Sequence, residues 1–138
     1  MSEIMTYFEI PEPIGTVWMT TFQGRVYPLS RPRFSKGHAY QPLQNQRELR
    51  NHVFEHRPSV PIDSDIWLDC LLFSTGGLQA DADNLLKSIF DALQASSVLV
   101  NDRQIVGGMF QRGISDCDHC HIILREVSIY VHGAGISS

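Results

Sequence analysis

Asp81-Ala82-Asp83-Asn84-Leu85-Leu86-Lys87 places two carboxylates, an amide and an ammonium within seven residues, and an apolar helical pattern begins inside it. Continued to Gln94, the spacing predicts a helix over about 83–94, with Leu85, Leu86, Ile89, Phe90 and Leu93 on one side. Asp83, Lys87 and Asp91 recur one turn apart along the margin of the other side. Asp83 suits the N-cap or first turn, where free amides and the helix dipole favour an anion. Asp81 lies just before it, near enough to converge with Asp83.

On either side of this helix the chain reads as strand. Ile66–Phe73 is almost continuously apolar and bounded by Asp63-Ser64 and Gly76-Gly77, the signature of a well-covered strand. Asp69 interrupts it on the face of Trp67, Leu71 and Phe73, so that face is partly open or Asp69 is held near a site. After the helix, Val98-Leu99-Val100 reads as a short strand ending at Asn101-Asp102, and Gln104–Phe110 as another extended piece. Residues 113–118 read as a polar loop and His121–Val131 as the last strand. Upstream, Glu3–Ile10 and Thr16–Phe22 are β-prone, a turn at Gln23-Gly24 leads toward Val26-Tyr27, and Leu43–Glu55 has the spacing of a surface helix ended by Arg57-Pro58. The order predicts an α/β (α+β) fold: a small mixed β-sheet with two main helices packed on one face. It forms a single domain over 1–132, with a C-terminal tail at 133–138.

Bulk composition agrees with this. A chain of 138 residues, 43% hydrophobic and 19% charged, suits one folded domain rather than a disordered tail. No apolar run approaches the roughly 20 residues of a membrane span, and the start has no basic flank of a signal peptide, so the cytoplasm is the expected location. Cys70, Cys117 and Cys120 are an odd number, which argues against a disulfide framework. Cys117-x-x-Cys120 with His119 and His121 invites a zinc reading, but no second pair completes a tetrahedral set. Gly76-Gly77 and Gly107-Gly108 form no phosphate-binding fingerprint.

The net charge of −4 conceals an asymmetry. Residues 21–58 hold seven of the eleven Lys and Arg against only Glu48 and Glu55, whereas residues 59–83 hold five aspartates and no base. Such a distribution suits a phosphate-bearing partner beside a cation site, although solvated faces of opposite sign would look the same. Within Ser30–Tyr40, Arg31, Arg33 and Lys36 are interleaved with Phe34 and Tyr40, as in loops that hold phosphates beside a stacked base. Asp102, at a strand end, is able to face Asp81 and Asp83. Three neighbouring carboxylates need a cation or raised pKa values, and all-oxygen ligands favour Mg²⁺ or Mn²⁺ over Zn²⁺. A metal-bound water then becomes a nucleophile for phosphorus, with Lys87 offsetting charge on the transferring group. An N-cap acid, a partner for Lys87 and a turn aspartate remain the structural alternative.

Asp81-x-Asp83-Asn84-Leu85-x-Lys87, followed by Asp91-Ala92-Leu93 and Asn101-Asp102-x-Gln104-Ile105, resembles the signature of the RusA family of Holliday junction resolvases. Arg31-Pro32-Arg33-Phe34, with Gly37 and Tyr40, resembles the arginine-rich motif of its phage and prophage members. In motif order and length the resemblance runs over roughly residues 5–130. It implies a Mg²⁺-dependent endonuclease that acts as a homodimer on four-way DNA junctions. The metal-binding acids then fall on Asp81, Asp83 and Asp102, the catalytic lysine on Lys87, and DNA contacts on Arg31, Arg33, Lys36 and Lys87. One departure stands out: the late motif often has two consecutive aspartates, and here the first is Asn101. A related metal nuclease for flaps, single strands or RNA, or a catalytically silent nucleic-acid-binding relative, fits the same motifs. The apolar N-terminal residues Phe8, Ile10, Trp18 and Phe22 offer surface for a dimer or for the subunit's own core.

Overall fold

The computed structural model describes residues 4–29, 40–77, 80–128 and 131–136. In chain order these form β1 (Ile4–Ile10), β2 (Pro13–Phe22), α1 (Tyr40–Glu55), β3 (Ile66–Ser74), α2 (Ala82–Ala95), a 3₁₀ turn (Asp102–Gln104), β4 (Ile105–Ile114), β5 (His119–Val127) and β6 (Val131–Ile136). Four strands make one mixed sheet in the order β2-β5-β3-β4, and β1 and β6 pair separately as a two-stranded ribbon. β4 runs parallel to β3, so β3, α2 and β4 constitute a βαβ crossover, while β5 is antiparallel to both β3 and β2. The expected α+β fold is the one observed.

Alternation in β3 and β5 defines the covered face. Ile66, Leu68, Cys70 and Leu72 of β3 and Cys120, Ile122 and Leu124 of β5 are buried and share one cluster with Leu49 and Val53 of α1 and Leu85, Ile89, Ala92 and Leu93 of α2. Both helices therefore lie on the same face. In α2 the buried positions are Leu85, Ser88, Ile89, Ala92 and Leu93, a stripe one helical face wide, with Leu86 and Phe90 half-buried at its margin. Each large aliphatic side chain fully removed from water there contributes roughly 1.5–3 kcal/mol. The opposite sheet face stays partly open, with Val17 and Met19 exposed at 47% and 56%. Asp69 lies on that face but is nearly buried, and both its oxygens are committed: Oδ1 accepts from Trp67 Nε1 at 2.7 Å and Oδ2 from Arg125 Nε at 2.6 Å. Its role is structural.

Several sequence expectations change in detail. Val98–Val100 is not a strand. Leu99 makes an isolated parallel bridge to Ile62, and Val98 and Leu99 plug the core. No hairpin follows Gln23-Gly24. Instead Val26 is buried, and the chain over 27–29 is held by both helices: Gln46 Nε2 donates to the Tyr27 and Pro28 carbonyls, Ser88 Oγ to Tyr27, and Leu29 N to the Asn84 carbonyl. β4 continues to Ile114, into the stretch expected as loop. The expected last strand is divided into β5 and β6, and β6 takes in much of the stretch read as a tail. Gly108 serves packing: a Cβ there would collide with the Leu68 carbonyl oxygen of β3. Trp18 and Phe22 belong to the subunit's own core rather than to an open surface, and Trp18 Nε1 donates to the His56 carbonyl at 2.8 Å.

α1 is tied to β2 through His52, whose Nε2 lies 2.7 Å from Thr20 Oγ1 and whose ring lies 4.3 Å from that of His56. Burial first, then the neighbouring His56, hold its pKa below the usual 6.5, with Glu55 opposing. A histidine depressed in the fold takes up its proton more readily when unfolded. Its contribution is therefore complete above 6.5 and declines as pH falls toward the lowered folded value. Thermal melts at pH 7.5, 6.5 and 5.5 are expected to drop more steeply for the native protein than for His52→Gln. Parallel slopes would remove His52 from the pH response.

Candidate active site

The helix start is built at Asp81. Its backbone is extended (φ −64°, ψ 141°), its carbonyl accepts from Leu85 N at 3.2 Å, and its carboxylate takes no capping hydrogen bond. Asp81 is thus the N-cap and Asp83 a first-turn residue, one position different from a helix starting at Asp83. Just before it, Arg112 Nη1 of β4 donates to the Ala80 carbonyl at 2.6 Å and ties the chain to the sheet edge. Lys87 lies one turn along, its Nζ 3.9 Å from Asp83 Oδ2, with side chains 59% and 71% exposed. At that exposure the pair adds little stability, about 0–1 kcal/mol, and leaves both groups available. Asp91, the third residue of the stripe, is committed elsewhere: Arg50 Nε and Nη2 meet its Oδ2 at 2.7 and 2.6 Å and join α1 to α2. Arg50, part of the basic segment, is correspondingly engaged within the fold.

The far end of α2 delivers Asp102. Ser97 adopts the left-handed region (φ 60°), Ser97 N donates to the Gln94 carbonyl, and Val98 N donates to that of Leu93 at 3.0 Å. This is a Schellman ending with serine in the place glycine usually takes. It sends Val98 and Leu99 into the core and returns Asn101 and Asp102 to the surface. Asp102 opens the 3₁₀ turn, capped by Asn101, whose Oδ1 accepts from Arg103 N at 2.9 Å. Among the described residues the carboxylates of Asp81 and Asp102 have no hydrogen-bond or ion-pair partner, and both are exposed.

Lys87 and Asp102 face a common cleft of about 440 Å³, lined also by Leu29, Phe90, Asp91, Gln94 and Ala95. Leu29, within the basic stretch 21–58, also lines this cleft. Arg31, Arg33 and Lys36 themselves lie outside the described residues. Asp81 and Asp83 stand at the helix start and are not among the lining residues. Among the described residues no three His, Cys, Asp or Glu side chains are gathered closely enough to hold a metal. Unpartnered, exposed carboxylates are the right donors for a hard divalent cation, but the structure does not hold the three as a closed cage.

The cysteines lie apart from this site. Cys117 is exposed and near His119, whereas Cys70 and Cys120 face the core. Burial pushes the Cys120 thiol up to about 12 and Cys70 higher still, so neither is a ready thiolate ligand. Sequence reasoning missed Leu29, Phe90 and Gln94 as cleft residues and Asn101 and Gln104 as a capping pair. The Asn-x-x-Gln spacing was a usable signal for the last two.

On this α+β scaffold Lys87 and Asp102 share a cleft, and two further acids stand at the start of the same helix. Residues 24–125 match the family described as Endodeoxyribonuclease RusA, a span that begins just after β2 and runs into β5. The chain belongs to the RusA family of Holliday junction resolvases, and so to the endodeoxyribonucleases. The match is narrower than the motif resemblance at both ends and leaves β1, β2 and β6 outside. No curated protein matches the chain. Among the described residues no helix is long and apolar enough to cross a membrane.

Proposed function

We propose that this protein is a Mg²⁺-dependent endonuclease that resolves four-way DNA junctions by paired strand cuts, acting in the cytoplasm as a homodimer. The observation that supports it most is the shared cleft, lined by Lys87 and Asp102 together. Asp81, Asp83 and Asp102 would hold the metal, with Mn²⁺ as a substitute for Mg²⁺. Bound there, the ion supplies an acidified water and neutralises phosphate charge.

The chain's own residues do the rest. Lys87, exposed and only loosely paired, offsets charge growing on the phosphate being cut. Arg31, Arg33 and Lys36 carry backbone contacts that orient the duplex arms without reading sequence. Phe90 and Leu29 give the cleft an apolar floor that shields the reacting phosphate from bulk water. One chain carries one such site, whereas resolution needs two cuts in opposed strands, which a two-fold dimer provides. Phe8, Ile10, Ile14, Val17 and Met19 are exposed and form the apolar surface available for pairing.

A second reading, a relative that binds DNA without cutting, draws on the separation of the carboxylates. Junctions labelled on each strand in turn separate the possibilities. Two symmetric incisions in opposed strands are expected. Cutting of flaps or single strands at equal rate, or binding with no incision in any divalent metal, would overturn the proposal.

A further inference from the structure

Lys87, Phe90, Asp91 and Gln94 stand at i, i+3, i+4 and i+7 on α2, so the cleft runs along one stripe of the helix. From Lys87 to Gln94 the helix rises about 10 Å, comparable to the span of a nucleotide from its phosphorus to the far edge of its base. The lining changes character along that span. Lys87 is exposed and held only by its 3.9 Å contact with Asp83. Phe90 is half-buried, rooted against the core, and still lines the cleft. Leu29 is fixed to the same helix, its N donating to the Asn84 carbonyl at 3.1 Å. Gln94 is exposed, and among the described residues its side-chain amide has no partner; only its backbone carbonyl is used, by Ser97 N at 3.2 Å. The charge of Asp91 is met by Arg50 at 2.6 Å. A volume of about 440 Å³ lies within the roughly 300–1,000 Å³ of small-molecule pockets, and apolar walls with a few polar groups are their usual make-up.

We propose that this cleft takes an unpaired nucleobase of the DNA, its ring against Phe90 and Leu29, its edge on the Gln94 amide and its adjoining phosphate on Lys87. This rests on the proposed action at a branch point, where a base leaves its stack at less cost than inside a duplex. An aromatic ring beside the base adds stacking that every base satisfies, so Phe90 supplies affinity. An amide offers an acceptor and a donor side by side, the pattern that reads a base edge, so Gln94 supplies choice among bases. A neutral ring also suits a wall that carries Asp91 and Asp102, where a second phosphate would meet carboxylates.

The test measures the dissociation constant of the full chain for four-way junctions in chelator, so that neither cutting nor a metal contributes. Each nucleotide around the crossover is made abasic in turn. The native chain is expected to lose about 10–100-fold in affinity at one position beside the crossover and little at the others. Phe90→Leu is expected to bind the intact junction more weakly and to lose most of that abasic response. With each of the four bases placed at the responsive position, the native chain should favour one by about 10–100-fold, and Gln94→Ala should level the four. A uniform abasic response or equal affinity for all four bases in the native chain would overturn the proposal. So would an abasic loss undiminished in Phe90→Leu or a base preference unchanged in Gln94→Ala. If Phe90→Leu does not fold, Gln94→Ala decides, since its site is exposed and its side chain holds nothing within the described residues. Failure of the nuclease reading looks different: the abasic response and base preference would then persist in a chain that makes no incision with Mg²⁺.

Discussion

Asp83→Asn is expected to cut a four-way junction more than about 100-fold more slowly than the native protein at saturating Mg²⁺. That exceeds the 10–100-fold cost of disturbing a metal's supporting shell, because on the proposed reading a charged ligand itself is lost. Folding should survive. The Asp83 side chain is 71% exposed and makes only a 3.9 Å contact with Lys87. In the first turn of α2 its charge is worth about 0.3–1 kcal/mol through the helix dipole, and the surface pair adds little. A melting point lowered by no more than about 4 °C is therefore expected. Native-like turnover by a folded Asp83→Asn protein would remove Asp83 from the metal site.

The second large effect falls on Lys87. Its ammonium lies in the cleft with Asp102 and is bound only weakly by Asp83. Lys87→Met keeps the length of the side chain and removes the charge. Loss of a group that stabilises developing charge lowers a rate by about 10²–10³-fold. Loss of one backbone contact among several changes affinity much less, by about tenfold. The single-turnover rate should accordingly collapse while the junction dissociation constant rises modestly. Equal losses in both would make Lys87 a simple phosphate contact.

The helix and the strand before it are legible in the sequence because each obeys a local period. Leu85, Ile89 and Leu93 repeat at helical spacing and are fully buried, and Ile66, Leu68, Cys70 and Leu72 alternate along β3 as its helix-covered face, with Trp67, Leu71 and Phe73 half-buried on the other. Val98–Val100 misleads for a physical reason: three aliphatic residues look like a strand, but a left-handed Ser97 turns them into the core, where burial rather than pairing uses them. Of the site, the residue types and their order along α2 are readable. Which members remain free is not. Asp91 and Arg50 satisfy each other across 41 residues, and Asp69 meets Arg125 across 56, pairings that only the folded chain reveals. The capping box at Asn101 and Gln104 lies between these cases, local enough to read yet dependent on Ile62 and Ser64 for half its bonds.

The most direct measurement is the single-turnover cleavage rate of the full chain on a four-way junction and on linear duplex of the same arm sequence, each with Mg²⁺ and with chelator. Rapid cutting of the junction with Mg²⁺, little cutting of duplex and none with chelator is the predicted result. Equal rates on both substrates, or junction cutting that persists in chelator, would contradict a metal-dependent junction resolvase built on Asp81, Asp83, Lys87 and Asp102.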